Sequence, residues 1–103
     1  MYIHSVPIEA NCITADTLLK TVTRQAGLGK VYAVTLVSDA KGGAATLILY
    51  DNTVAAGERE LVLAAAAGTS ESVTFPDSKP LRFNTGIYAD IAGGAAYATI
   101  QFD

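Results

Sequence analysis

The chain has 103 residues, 50% of them hydrophobic, and a net charge of −3. That length makes one domain, and its seven lysines and arginines are scattered, which excludes the concentrated positive footprint that nucleic acid or an anionic membrane surface requires. No apolar run reaches the roughly 18 residues of a membrane span, and MYIHSVPIEA has no charged n-region or long apolar stretch, so no signal peptide is expected.

Much of the hydrophobic half is alanine. With no tryptophan, one methionine and three phenylalanines, the core is thin, which favours oligomerisation. A single cysteine, Cys12, cannot form an intrachain disulfide or a CxxC site, and it points to synthesis in a reducing compartment.

Residues Tyr2 to Glu9 alternate weakly and carry Pro7, which suits an edge strand or an extended arm. Ile13 to Arg24 reads two ways. Asp16 could cap a helix running through Leu18, Leu19 and Val22. Thr17, Thr21, Val22 and Thr23 favour an extended chain, and because the neighbouring segments are β, strand is the reading adopted. Gln25 to Gly29 is a loop broken by Gly27 and Gly29.

Lys30 to Ser38 is the clearest strand. Strict alternation places Val31, Ala33, Thr35 and Val37 on one face and Tyr32, Val34 and Leu36 on the other. Both faces are largely apolar, so the strand is expected to be central. Asp39 to Gly43 is a glycine turn, and Ala44 to Tyr50 is expected to return antiparallel to the first strand as a hairpin. Asp51 to Gly57 is a loop or bulged connection. Glu58 to Ala67 contains four consecutive alanines, which favour helix, yet a strand with Leu61 and Leu63 inward fits equally.

Ser70 to Phe75 alternates as a strand. Pro76 to Pro80 is a turn, and Leu81 to Asn84 is a short strand with Phe83. Ile87 to Ala92 and Ala95 to Phe102 are expected to form a second hairpin around Gly93-Gly94. In the last strand Ala96, Ala98, Ile100 and Phe102 share one face; Tyr97, Thr99 and Gln101 share the other, partly solvated face. The two turn regions are near-copies: DAKGGAATLILYD from Asp39 to Asp51, and DIAGGAAYATIQFD from Asp90 to Asp103. The structural turn residues are therefore Gly42, Gly43, Gly93 and Gly94. Seven to nine short strands at spacings near ten residues predict an all-β fold, a small antiparallel β-sandwich of jelly-roll-like character. Residues 1–24 form an N-terminal arm and first strand able to contribute to an interface, and 25–103 form the sandwich core.

Chemistry is sparse. His4 has no orienting partner or nucleophile near it in sequence, and Cys12 reads as a small buried hydrophobe. Asp39, Asp51, Asp90 and Asp103 sit at the ends of the repeated units and are expected to accept hydrogen bonds from loop amides. A calcium site would need six to eight converging oxygens, and DAKGG and DIAGG supply one carboxylate each. Gly27-Leu28-Gly29-Lys30 is no phosphate loop, because a strand follows it. No catalytic residue, cofactor or metal is expected. Among Tyr2, Tyr32, Tyr50, Tyr88 and Tyr97, the candidates for stacking on a glycan are Tyr88 and Tyr97.

Three strings, GLGKVYAVTLVSD, ATLILYDN and PLRFNTGIYADIAGGAAYATIQFD, resemble a pattern of small virion structural proteins of tailed bacteriophages. The resemblance runs from Gln25 to Asp103. It is carried by Gly29, Tyr32, Tyr50-Asp51-Asn52, Phe83, Gly86-Ile87-Tyr88 and Gly93-Gly94, which in that family determine the fold and have no catalytic role. It implies a trimeric β-sandwich in the particle: a capsid decoration (cement) protein, a spike or fibre base, or a head–tail component. It implies partners among its own copies and the major capsid protein, and a virion location, with synthesis in the host cytoplasm. Residues Met1 to Arg24 match least; an arm of this kind can swap onto a neighbour or dock to the shell. The alternative function is a spike or fibre module recognising a host surface glycan.

Overall fold

A computed structural model describes residues 9–21, 29–39, 43–76, 78–93 and 96–103. His4, Gly42 and Gly94 lie outside these, as do residues 1–8 and 22–24 of the proposed arm. Among the described residues the chain forms nine strands: β1 (Glu9–Ile13), β2 (Thr17–Thr21), β3 (Gly29–Ser38), β4 (Ala45–Asp51), β5 (Arg59–Ala65), β6 (Ser70–Thr74), β7 (Leu81–Phe83), β8 (Gly86–Ala92) and β9 (Ala96–Phe102). No helix among them is long and apolar enough to cross a membrane.

The strands make two antiparallel sheets. The front sheet runs β1-β9-β3, with β6 and β7 in line along the far side of β3; the back sheet runs β2-β8-β4-β5. The pairings nest: β4 with β5, β3 with β6 and β7, β2 with β8, β1 with β9. Two further pairings, β3 with β9 and β4 with β8, close the sheets. Residues 9–21 thus give one strand to each sheet. The two ambiguous segments supply the strands β2, Thr17–Thr21, and β5, Arg59–Ala65. In β5 the alanine run is overridden because Leu61 and Leu63 pack against the core and Ala65 is buried, whereas a short isolated helix would be marginal.

Both expected hairpins are corrected. β3 and β4 lie in different sheets, and so do β8 and β9. Each glycine turn is an arch that carries the chain from one sheet to the other, so that the strands it joins meet face to face. The strands flanking the two arches then pair across them: β3 with β9, β4 with β8. Alternation cannot distinguish these cases, because an arch and a hairpin demand the same turn chemistry and the same inward positions. The arches sit against each other. A Cβ at Gly93 would stand 3.0 Å from the Ala45 Cβ and 3.2 Å from the Ala44 carbonyl oxygen, so only a residue without a side chain fits. Gly93 also has φ +138° and Gly43 φ +75°, a region that costs L-residues free energy. Ser38 ties the first arch by donating its buried hydroxyl to the Gly43 carbonyl; Ala89 stands at the matching place in the second copy.

The core lies between the sheets, with Val34, Leu36, Ile100 and Phe102 facing Leu47, Leu49 and Ile87. Burying each such side chain contributes about 1.5–3 kcal/mol. Strict alternation in β3 fails at one point. The ladder to β9 shifts register between Val31 and Ala33, a bulge that leaves Tyr32 as the extra residue. Val31 is thereby turned inward with Val34 and Leu36, and all three are almost fully buried. Tyr32 is buried as well, and its hydroxyl donates to Asp103 Oδ2 at 2.8 Å.

Candidate assembly surface

The outward faces of the two sheets differ in chemistry. On the back sheet, register places Leu18, Tyr88, Tyr50 and Arg59 in one row, Asp90, Ile48 and Val62 in the next, and Ala92, Thr46 and Ala64 in a third. The inward partners Leu47, Leu49, Ile87 and Ala89 are at 0% exposure, so the alternate residues must face out. Leu18 is 43% exposed and Val62 53%. Ile48 and Tyr88 are half-buried and Tyr50 is buried. The result is an apolar, aromatic-centred strip with charge at its margin.

That margin is formed by Asp16, Asp90 and Arg59. Asp16 accepts the Ile91 amide at 3.0 Å, which fixes the turn into β2 against the end of β8. Asp90 has its carboxyl held above the usual carboxylate range by burial and then by the charge of Asp16, to which it is hydrogen-bonded; Arg59 pulls the other way. Glu60, the extra residue where the β4–β5 ladder shifts between Leu49 and Tyr50, is also raised, by burial first and then by Glu58 and Asp51.

The front face carries Ser70, Val37 and Tyr97 in one row, Ser72, Thr35 and Thr99 in the next, and Thr74, Ala33 and Gln101 in the third. It is rich in hydroxyls, and none of these nine side chains is charged. Tyr97 is 46% exposed on it. The two tyrosines singled out for glycan stacking therefore stand on opposite faces of the sandwich and do not form one groove.

The aspartates also separate. Asp51, at the end of β4, accepts the amides of Asn84 and Thr85 at 2.9 and 2.7 Å and that of Gly86 at 3.4 Å, the cap expected of it. Asp103 receives a tyrosine hydroxyl instead, and Asp90 lies within a strand. Asp39 is exposed beside the first arch. Among the described residues no group of three His, Cys, Asp or Glu side chains could hold a metal ion. Cys12 lies on β1 opposite Thr99. The role of Asp16 went unread because its partner, Ile91, is distant in sequence; an aspartate at a turn entering an apolar run was the available signal.

What this surface can do is pack. Four strands about 4.8 Å apart and three outward rows about 7 Å apart project roughly 400 Å². A standard interface takes about 800 Å² from each partner, so an assembly using this face needs the elements at its border too. No protein-family model, curated protein or solved structure matches the chain.

Proposed function

We propose that the chain is a non-enzymatic virion structural protein, a homotrimeric capsid decoration subunit on the particle exterior. The observation that carries this reading is the apolar outward face of the back sheet. At about 400 Å² the face is on the scale of the largest apolar patch of a monomer, a patch that is often functional, and three copies turning these faces toward a common axis would cover Leu18, Ile48 and Val62. The partners on this reading are its own copies and the major capsid protein.

We also propose that the sandwich is a jelly roll. Its support is the nested pairing: a long antiparallel ribbon, closed at β4–β5 and wrapped once, gives the sheet orders 1-9-3-6 and 2-8-4-5, with β7 prolonging β6. That wrapped ribbon is the double Greek key of jelly rolls, a frame that leaves its outer faces free for packing.

Sedimentation of the purified chain at micromolar concentration tests the assembly role. A trimer is expected, reduced to monomer by Leu18→Ser with Val62→Ser while the unfolding midpoint stays near that of the parent. A monomeric parent overturns the reading. The nine uncharged, hydroxyl-rich outward positions of β3, β6 and β9, with exposed Tyr97 among them, favour a second reading, a module that binds a host surface glycan. Glycan-array binding lost on Tyr97→Ala, by a chain that does not self-associate, moves the function there.

A further inference from the structure

Residues 9–21 form a strap along one side of the sandwich. β1 lies at the edge of the front sheet on β9, and β2 lies at the edge of the back sheet on β8. The turn between them, Thr14 to Asp16, is exposed. On the back sheet the strap is lightly held. The β2–β8 ladder shifts register between Leu18 and Lys20, none of the five residues of β2 is fully buried, and of these Leu19 packs against the core. Few buried contacts mark a segment that opens ahead of the rest of a domain.

Two carboxyl groups meet where the strap enters the back sheet. Thr17 pairs with Ala89, so Asp16 and Asp90 come next in that antiparallel register and stand opposite each other. Asp16 Oδ1 accepts the Ile91 amide at 3.0 Å, and its carboxyl is hydrogen-bonded to that of Asp90. Two carboxyl groups can make such a bond only while one of them keeps its proton. The charged and titratable groups around Asp90 are Asp16 and Lys20 from the strap, Tyr88 on β8 itself, Tyr50 on β4, and Arg59 and Glu60 on β5. Of these, Asp16 and Arg59 act on it, with opposite signs. When both carboxyls ionise, like charges stand directly opposite, which destabilises a strand pair. Asp90 is fixed in β8 between β2 and β4, whereas Asp16 sits on an exposed turn. Asp16 is therefore the group that gives way, and the Ile91 amide loses its acceptor.

We infer that the Asp16–Asp90 pair is a proton-dependent latch on residues 9–21, closed while the two carboxyls share a proton and loosened when both are ionised. The raised Asp90 carboxyl agrees with this. The closed strap holds that proton more tightly than the open one, so closure is favoured in acid and weakens as pH rises through the titration. The latch lies within one chain and needs no partner. Its opening bares the edges of β8 and β9 together, two rows of unpaired backbone groups.

Amide hydrogen exchange on the full chain tests it, with each rate divided by the intrinsic rate at its pH. The amides of β2 are expected to exchange through an opening of their own, less protected than those of β3 and β4. Their protection should fall about threefold or more as the pH rises from the acid range to neutral. The Ile91 amide proton resonance should move over the same range. Asp90→Asn keeps a donor for Asp16, and Asp16→Asn keeps an acceptor for Ile91. Neither variant can place two like charges across the pair, so each should abolish the fall. Protection in the parent that stays flat with pH overturns the latch. So does a fall that survives in either variant. Strap amides that exchange in step with β3 and β4 overturn it too, because the opening would then belong to the whole domain.

Discussion

Gly86→Ala should be among the most damaging small substitutions in this chain, although Gly86 has no unusual backbone angle to protect. A Cβ there would lie 2.6 Å from the Asn52 carbonyl oxygen, 3.0 Å from the Lys20 carbonyl oxygen and 3.1 Å from the Asn52 carbonyl carbon. All three are main-chain atoms, so no side-chain rotation relieves them. Overpacking of this kind costs about 1–3 kcal/mol. The chain must also move where the Gly86, Thr85 and Asn84 amides meet Asp51, and a weakened hydrogen bond to a charged acceptor costs about 1.5–3 kcal/mol more. The sum is about 2.5–6 kcal/mol, against a total stability of about 5–15 kcal/mol for a domain. At about 4–8 °C per kcal/mol, the melting temperature falls by at least roughly 10 °C. Urea unfolding with an unchanged m-value measures it, with Gly43→Ala as the control: Gly43 has φ +75° but open space where a Cβ would stand, so only the backbone term of about 1–2 kcal/mol applies. A Gly86→Ala protein within about 0.5 kcal/mol of the parent, inside the ordinary range for surface substitutions, would refute the steric argument.

Removing the cap itself, Asp51→Ala, should cost about 2 kcal/mol, since water replaces part of what the half-buried carboxylate gives, and Asp51→Asn, which keeps an acceptor oxygen, about half as much; chemical unfolding of the pair checks the order. Tyr32→Phe deletes the buried bond to Asp103 and should lower stability by about 1.5–3 kcal/mol with the far-UV circular dichroism unchanged. Asp90→Asn has the opposite sign. The folded state holds the Asp90 proton to higher pH than the unfolded state does, so stability falls as pH rises from the ordinary aspartate range through the raised value; the amide removes that fall, and melting curves across the acid range should converge at low pH with the variant higher at neutral pH. Parallel curves would show that burial and Asp16 leave this carboxyl unperturbed.

The strands were legible because the chain alternates where it is half-buried. Ala98, Ile100 and Phe102 are buried together on the one face that alternation gave them. Three things were not legible, each for a local reason. The arches looked like hairpins because Gly-Gly followed by Ala-Ala serves either connection, and only the distant partner strands decide. Val31 was placed on the wrong face of β3 because a bulge changes parity without marking the sequence. Asp16 and Asp90 came together across β2 and β8, a pairing no spacing encodes. Most of the candidate surface was hidden for the same reason: Leu18, Ile48 and Val62 come from three separate segments, and their common side follows from register alone.

The last strand of the sandwich, β9, does not lie at an edge. It fills the interior of the front sheet between β1 and β3, with Ala98 and Ile100 fully buried. During synthesis the ribosome therefore releases β1 to β8 before the strand that joins the two ends of that sheet exists. Until then the inward sides of β3 and β1 have no neighbour between them, and the growing chain exposes strand edges that favour aggregation. The innermost ribbon, β4 with β5, can form first, its short connection costing little closure entropy, and the pairings of β3 with β6 and β7 and of β8 with β2 and β4 also need nothing from β9. The domain should thus complete itself only when β9 has emerged, in one late step.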